Sequence, residues 1–471
     1  MTAQVAPQVP GLLDRIAGWL LLAITVLVVM GEWEGGRWEG PLSAILAALL
    51  ILALIPRVKR GRLIFVAVGV TLGAVTLGLR ADGPAQVMAA LERAAFIGAF
   101  FAALTTLRHV AETSPAIRDC GRFLAAQPPG KRYLALTLGG QLFGLLLNYG
   151  AIALLGSLAT ASARDEPNAE IRGHRIRRML LAVQRGLVST FAWSPLGFSI
   201  AISTSLIPGA SWAGAALPAL GTAFILAALG WALDTAFKPR LSAPAPARTR
   251  PQGTWGRSLA PLLFLLALLM GSVALLHIVI GVPAVGVVML VVPVISAVWL
   301  GLQHRGPGGA AQALARARDY VIRDLPAYRG EVVLLMMAGI IGTLGALLLL
   351  PLADRAGIDL SVLPGWVILV AIVWYIPLVG QIGMNPILSV SLMAPLLPTA
   401  GALGLAPDDL VVAITAGWAL GGASSPFTAT TLMVGALGGV SAAHVGFRWN
   451  GVYTLSGAVI LSGWVVLVAA L

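Results

Sequence analysis

Apolar residues in this chain run on for longer than a soluble core helix requires. Leu42–Ile55 and Leu262–Val273 are almost unbroken, and about 20 such residues in helical form cross the hydrocarbon of a bilayer. The ten-residue alternation of a membrane β-strand is missing. The pattern predicts spans at 16–30, 41–56, 62–80, 87–107, 178–207, 215–237, 258–280, 282–302 and 331–352. Two further apolar stretches are irregular inside. Tyr133–Leu158 carries Gly139, Gly140, Gln141, Gly144, Asn148 and Gly150, and Leu363–Pro398 carries Pro364, Pro377, Pro386, Pro395 and Pro398.

Composition agrees with an all-α polytopic membrane protein. Of 471 residues 58% are hydrophobic and 11% charged, against about a quarter charged in soluble domains. That excludes a soluble enzyme and a disordered chain. The net charge of +12 invites a nucleic-acid reading, but its distribution argues otherwise. Most Lys and Arg fall within 57–62, 108–132, 164–185, 238–257 and 305–329, and basic loops stay on the cytoplasmic side. The charge reports topology in a cell (inner) membrane with the N-terminus cytoplasmic, and nucleic acid is not expected as a partner.

That orientation has a consequence. Tyr133–Leu158 lies between basic loops and must enter and leave by one face, as a re-entrant hairpin. Leu363–Pro398 then forms a second hairpin, from the opposite face. Residues 1–40 hold a retained anchor span without a signal-peptide cleavage site. Residues 41–237 form a first repeat, 238–257 a Pro- and Arg-rich cytoplasmic linker, and 258–471 a second repeat.

The two repeats have the same parts. Each has a glycine-rich hairpin with Gly-Gln and Asn, then a long span interrupted by Ser-Pro. The first reads Gly140-Gln141 with Asn148, then Ser194-Pro195-Leu196-Gly197; the second reads Gly380-Gln381-Ile382-Gly383-Met384-Asn385, then Ser424-Ser425-Pro426. Hairpins entering from opposite faces make an inverted repeat, a design of secondary transporters. A competing register aligns Ser194-Pro195 with Asn385-Pro386 and the GWAL at 230–233 with that at 417–420. It breaks the charge pattern.

The residue types suit ion and solute binding. Proline removes a backbone donor and frees carbonyls within the span. Half-helix N-termini present N–H groups to an anion, and freed carbonyls with Asn, Ser and Thr oxygens can hold Na⁺. The candidate binding residues are Gln141, Asn148, Ser194, Pro195, Gly197 and Ser199 in the first half. In the second they are Gln381, Gly383, Asn385, Ser424, Ser425, Pro426 and Thr428. A single membrane hydroxyl more often bonds its own preceding turn, so the paired occurrence carries the expectation.

Other chemistry finds little support. Cys120 has no cysteine partner, the five histidines are scattered, and no nucleotide-binding P-loop is present. Asp234 reads as interfacial and His277 as a hydrogen-bonded packing residue. No carboxylate stands mid-span, which disfavours an acidic proton relay. No cofactor is expected beyond Na⁺ ions, and no enzyme.

The run Asn385–Ser441 resembles the closing segment of the large membrane subunit of TRAP-type dicarboxylate transporters, within the wider ion transporter superfamily. The matching features are Pro395 and Pro398, Leu-Gly-Leu-Ala-Pro at 403–407, Ser425-Pro426, and Gly438-Gly439-Val440-Ser441. The family's two prolines followed by valine and glycine read Ser425-Pro426-Phe427-Thr428 here. The resemblance implies a hairpin and a broken helix in each inverted repeat, and an elevator-like transport domain moving against a scaffold. It also puts the anion and Na⁺ sites at the hairpin tips and helix breaks.

The expectation is a secondary active transporter of a small anionic solute, a carboxylate, coupled to Na⁺ or H⁺. The alternatives are a channel, or a membrane subunit of a larger complex. A soluble binding protein, a small membrane subunit and a homodimer are left open as partners beside the lipid bilayer.

Overall fold

A computed structural model describes residues 11–35, 38–58, 60–164, 166–239, 253–357 and 359–471. In chain order the helices begin with α1 (Leu12–Glu34), α2 (Glu39–Leu54), α3 (Arg60–Leu79), α4 (Gly83–Ala111) and α5 (Pro115–Ala125). Next come α6 (Pro129–Leu147), α7 (Gly150–Ala163), α8 (Ala169–Thr190), α9 (Phe198–Leu206) and α10 (Trp212–Ala236). The second half has α11 (Trp255–Ile280), α12 (Ala284–Gln303), α13 (Gly309–Asp319), α14 (Leu325–Ala327) and α15 (Arg329–Arg355). It ends with α16 (Gly365–Gln381), α17 (Pro386–Met393), α18 (Pro407–Ser424), α19 (Ala429–Gly438) and α20 (Gly451–Ala469). Among the described residues there is no strand. Ten segments of the described residues, α8 and the two hairpins not among them, are long and apolar enough to cross a membrane.

The chain divides into two compact units. One comprises 1–110 with 276–352, the other 111–275 with 353–471. Neither coincides with a sequence half; each draws on both. Of the linker at 238–257, residues 240–252 lie outside the described residues, and Trp255 already opens α11.

In the first unit α1 packs on α2, on α12 and on a π-helical turn at Tyr320–Asp324. Trp33 donates to the carbonyl of Gly286 at 3.2 Å, and Tyr320 to that of Ala102 at 2.8 Å. His109 Nδ1 pairs with Asp324 at 2.6 Å.

The second unit holds both irregular stretches. Tyr133–Leu158 is two helices, α6 and α7, packed on each other. They part at Asn148, the only non-glycine with positive φ (49°) among the described residues. Its ψ of −125° lies outside the left-handed helical region, in a conformation glycine adopts most readily. The second stretch is α16 and α17, parted at Ile382–Asn385, where Gly383 takes φ +91°.

Two basic loops expected from the sequence are largely helical. Ser114 caps α5, with Pro115 in its first turn. Asn168 Oδ1 accepts from the backbone of Glu170 and Ile171, starting α8 well before residue 178. Such caps supply acceptors for otherwise orphaned N–H groups. The arginines of 172–185 therefore ride on a helix whose last turns are wholly buried.

Packing in this unit follows a repeated scheme. α6 lies along α8 and α16 along α18. The second arms reach across as well: α7 packs on α8 and also on α19, and α17 packs on α9. The α6–α8 approach depends on Gly186, because a Cβ there would collide with the carbonyl of Thr137. Gly417 faces α16 in the same way, with the carbonyls of Ile372 and Val373 at 3.0 and 3.1 Å from a Cβ.

Candidate functional site

Each long span breaks where proline forbids continuation. Pro195 has no N–H for the carbonyl four residues before it, which is Phe191; for Pro426 that carbonyl is Gly422. A buried carbonyl needs a donor. In both breaks a hydroxyl four residues after the proline supplies it: Ser199 donates to Phe191 and Thr430 to Gly422. The serine before each proline also acts alike. Leu196 N–H donates to Ser194 Oγ, and Phe427 N–H to Ser425 Oγ, each at 3.2 Å. The two Ser-Pro breaks thus share one local hydrogen-bond pattern. The GWAL segments differ in setting: Gly230 faces Tyr133 and Arg185, whereas Gly417 faces α16.

Gly197 and Thr428 stand at the N-caps of α9 and α19. Gly197 N–H donates to the Ser194 carbonyl at 3.0 Å. Thr428 Oγ1 lies 2.9 Å from the Ser425 carbonyl, 3.0 Å from Thr430 Oγ1 and 3.1 Å from Thr431 Oγ1. Thr431 donates to the Ser425 carbonyl at 2.6 Å. The second break therefore gathers two carbonyls and three hydroxyls, all neutral oxygens. Among the described residues no group of His, Cys, Asp or Glu could hold a metal ion.

The second hairpin tip closes on the second break. Ser425 Oγ donates to the Gly380 carbonyl at 2.6 Å. Gln381 Nε2 donates to Ser424 Oγ at 3.2 Å and to the Pro377 carbonyl at 2.7 Å. A Cβ on Gly383 would stand 3.6 Å from the Phe427 ring, and its φ of +91° suits glycine alone. Asn385 Oδ1 accepts from Ile387 N–H at 2.8 Å, which makes it the cap of α17. Gln381 Oε1 is buried without a partner, as is Asn148 Oδ1 at the other hairpin.

The first hairpin approaches its break differently. Gln141 Nε2 reaches Ser189 Oγ at 2.9 Å, five residues before Ser194, so it braces the helix pair away from the break. The tip touches the break through the Tyr149 and Phe191 rings, with centroids 6.1 Å apart. The structure therefore joins Gln381, Gly383, Ser424, Ser425, Pro426 and Thr428 into one cluster. Ser194, Pro195, Gly197 and Ser199 form another, with Asn148 at the neighbouring tip and Asn385 capping the helix that packs on α9.

Sequence reasoning missed a polar group beside these clusters. Arg185 is 5% exposed, and Gln184 and Asn450 are fully buried. Arg185 Nε donates to Asn450 Oδ1 at 3.0 Å, and Asn450 Nδ2 to Gln184 Oε1 at 3.0 Å. Gln184 Nε2 reaches the Ala423 carbonyl at 3.4 Å. An arginine within the apolar run Met179–Val188 was the available signal. Asp234, expected at an interface, accepts two bonds from Arg178 at 2.8 and 2.6 Å. His277 packs as expected, its Nδ1 2.8 Å from the Val282 carbonyl.

No family model matches the sequence, and no curated protein does. Solved structures match in fold. The YdaH transporter of Alcanivorax borkumensis, whose crystal structure is described as having an unusual topology, superposes with a TM-score of 0.61 at 17% identity. The match covers 87% of this chain and 99% of that one. Neisseria gonorrhoeae MtrF, described as illuminating a class of antimetabolite efflux pumps, superposes with a TM-score of 0.53 at 13% identity. It covers 87% of this chain and 95% of its own. At these identities the likeness is one of fold.

Proposed function

We propose that this chain is a secondary active transporter of a small organic anion, a carboxylate, across the cell (inner) membrane. The observation that carries the proposal is the duplicated break. Two Ser-Pro interruptions share one hydrogen-bond pattern, and the second arm of each hairpin also touches the broken helix of the other half. That exchange of partners is what inverted repeats produce, and such repeats build their binding sites from discontinuous helices.

Half-helix N-termini at Phe198 and Ala429 offer N–H groups to an anion without a fixed cation at the tip. The oxygens of Gly422, Ser425, Thr428, Thr430 and Thr431 would hold Na⁺, since hard cations take oxygen ligands. Each hydroxyl that donates to a carbonyl keeps a lone pair for an ion. H⁺ is the alternative coupling ion. The resemblance of 385–441 to TRAP membrane subunits supports a carboxylate as solute and an elevator movement of hairpins and broken helices against a scaffold. A second reading, export of the solute, is favoured by the fold shared with MtrF.

The test is transport in proteoliposomes with a panel of carboxylates and oxyanions, under Na⁺ and proton gradients imposed separately and in both directions. Saturable, gradient-driven flux of an anion is expected. Unsaturating current points to a channel, and flux only on adding a second protein to a complex subunit.

A further inference from the structure

We propose that Arg185 is a fixed interior cation that sets the charge preference of the transport core, so that the solute must bring the balancing negative charge. The proposal rests on the anionic-solute reading and deepens it. Arg185 lies on α8 within a run of buried residues, and its hydrogen-bond partners are all neutral: Asn450 Oδ1 at 3.0 Å, the Tyr133 hydroxyl at 3.2 Å and the Trp449 carbonyl at 3.2 Å. The Tyr453 ring lies under the guanidinium, 4.6 Å from centroid to Cζ. The carboxylate on the neighbouring helix, Asp234, is already held by both arms of the Arg178 fork. Arg177, over the Trp449 ring at 5.8 Å, adds further positive charge.

The guanidinium group is a permanent cation in proteins. A buried charge without a counter-ion is costly, and charges at membrane depth are held where function needs them. The cradle is also joined to the candidate site. Asn450 Nδ2 donates to Gln184, and Gln184 to the Ala423 carbonyl. The next residue, Ser424, holds Gln381 of the second hairpin. The cation is thereby fixed relative to the second break, where an anion would feel its field through a low-dielectric interior.

Asn450→Asp tests this directly, because it places a carboxylate on Arg185 with almost no change of shape. Purified protein in detergent is titrated with acetate, benzoate, succinate, citrate and sulfate, reading ligand-induced thermal shift, with uptake of the same anions in proteoliposomes. The variant should elute as one species, its new ion pair with Arg185 offsetting the lost Nδ2 donation to Gln184. Its half-saturating concentration should rise about tenfold for the anion the parent takes best. Arg185→Gln should weaken the same anion similarly, and Arg185→Lys should retain most of its binding. If Asn450→Asp does not fold, Arg185→Gln decides by the same titration. Unchanged half-saturation in the folded variant overturns the proposal and leaves the anion reading intact. A parent protein that responds to none of the five anions overturns both.

Discussion

Phe191 and Gly422 hold the same place in the two helix breaks, and they touch. Each carries the carbonyl that loses its backbone donor to the proline four residues on, and the Phe191 ring lies 3.0 Å from where a Cβ on Gly422 would stand. The equivalent points of the two halves thus meet, one contributing a ring and the other the space for it. Gly422→Ala should destabilise the protein by about 1–3 kcal/mol, the usual cost of overpacking. Adding Phe191→Leu should recover part of that loss. Melting temperatures of the two single variants and the double variant measure the coupling; strict additivity would refute the contact.

The hydroxyls that replace the missing proline donors should matter to stability as well as to transport. Ser199→Ala leaves the Phe191 carbonyl without its donor, and Thr430→Val leaves Gly422 only the long 3.4 Å bond from Thr428 Oγ1. Each should cost about 1–3 kcal/mol, the penalty for an unsatisfied buried group. Thermal unfolding in detergent checks this, with Ser205→Ala on the same half-helix as Ser199 serving as a milder control.

Thr428 separates Na⁺ coupling from proton coupling. Its hydroxyl sits between the Ser425 carbonyl and two further threonine hydroxyls. Thr428→Val should raise the Na⁺ concentration for half-maximal uptake by about tenfold, as losing one good ligand of about 1.4 kcal/mol requires, while flux at saturating Na⁺ survives. Uptake indifferent to Na⁺ in the parent assigns the coupling to protons.

Ser425 and Asn385 test the site itself. Ser425 Oγ bonds the Gly380 carbonyl and accepts from Phe427, joining hairpin to break, and Asn385 caps α17. Ser425→Ala and Asn385→Ala should each suppress uptake at least about tenfold while expression persists; a lost cap costs about 1 kcal/mol. Full uptake by both variants would remove the cluster from the mechanism.

Thiol reagents test the proposal that the hairpins enter from opposite faces. Cys120 is buried and is the single cysteine, so a Cys120→Ala background is silent. Ser157→Cys, at an exposed position of α7, should react with an impermeant reagent from the cytoplasmic side, and Ile382→Cys, at a residue 78% exposed, from the other. Labelling of both from one side contradicts inverted repeats.

Hydropathy and proline placement alone determined much of this protein. Unbroken apolar runs dictate helices, because a bilayer leaves no solvent for free backbone groups, and the spans expected at 16–30 and 41–56 are α1 and α2. Ser194-Pro195 and Ser425-Pro426 announced the breaks, since proline deletes a donor wherever it stands. Tertiary structure decided the rest. Arg185, assigned to a loop from its charge, belongs to a buried helix because Asn450, Tyr133 and Trp449, distant in sequence, supply its acceptors. The sequence did not show that Gln141 braces α8 while Gln381 reaches the break, since identical residue types differ only in what packs against them. Local rules act on neighbours along the chain, whereas partners for a buried polar group come from wherever the fold brings them.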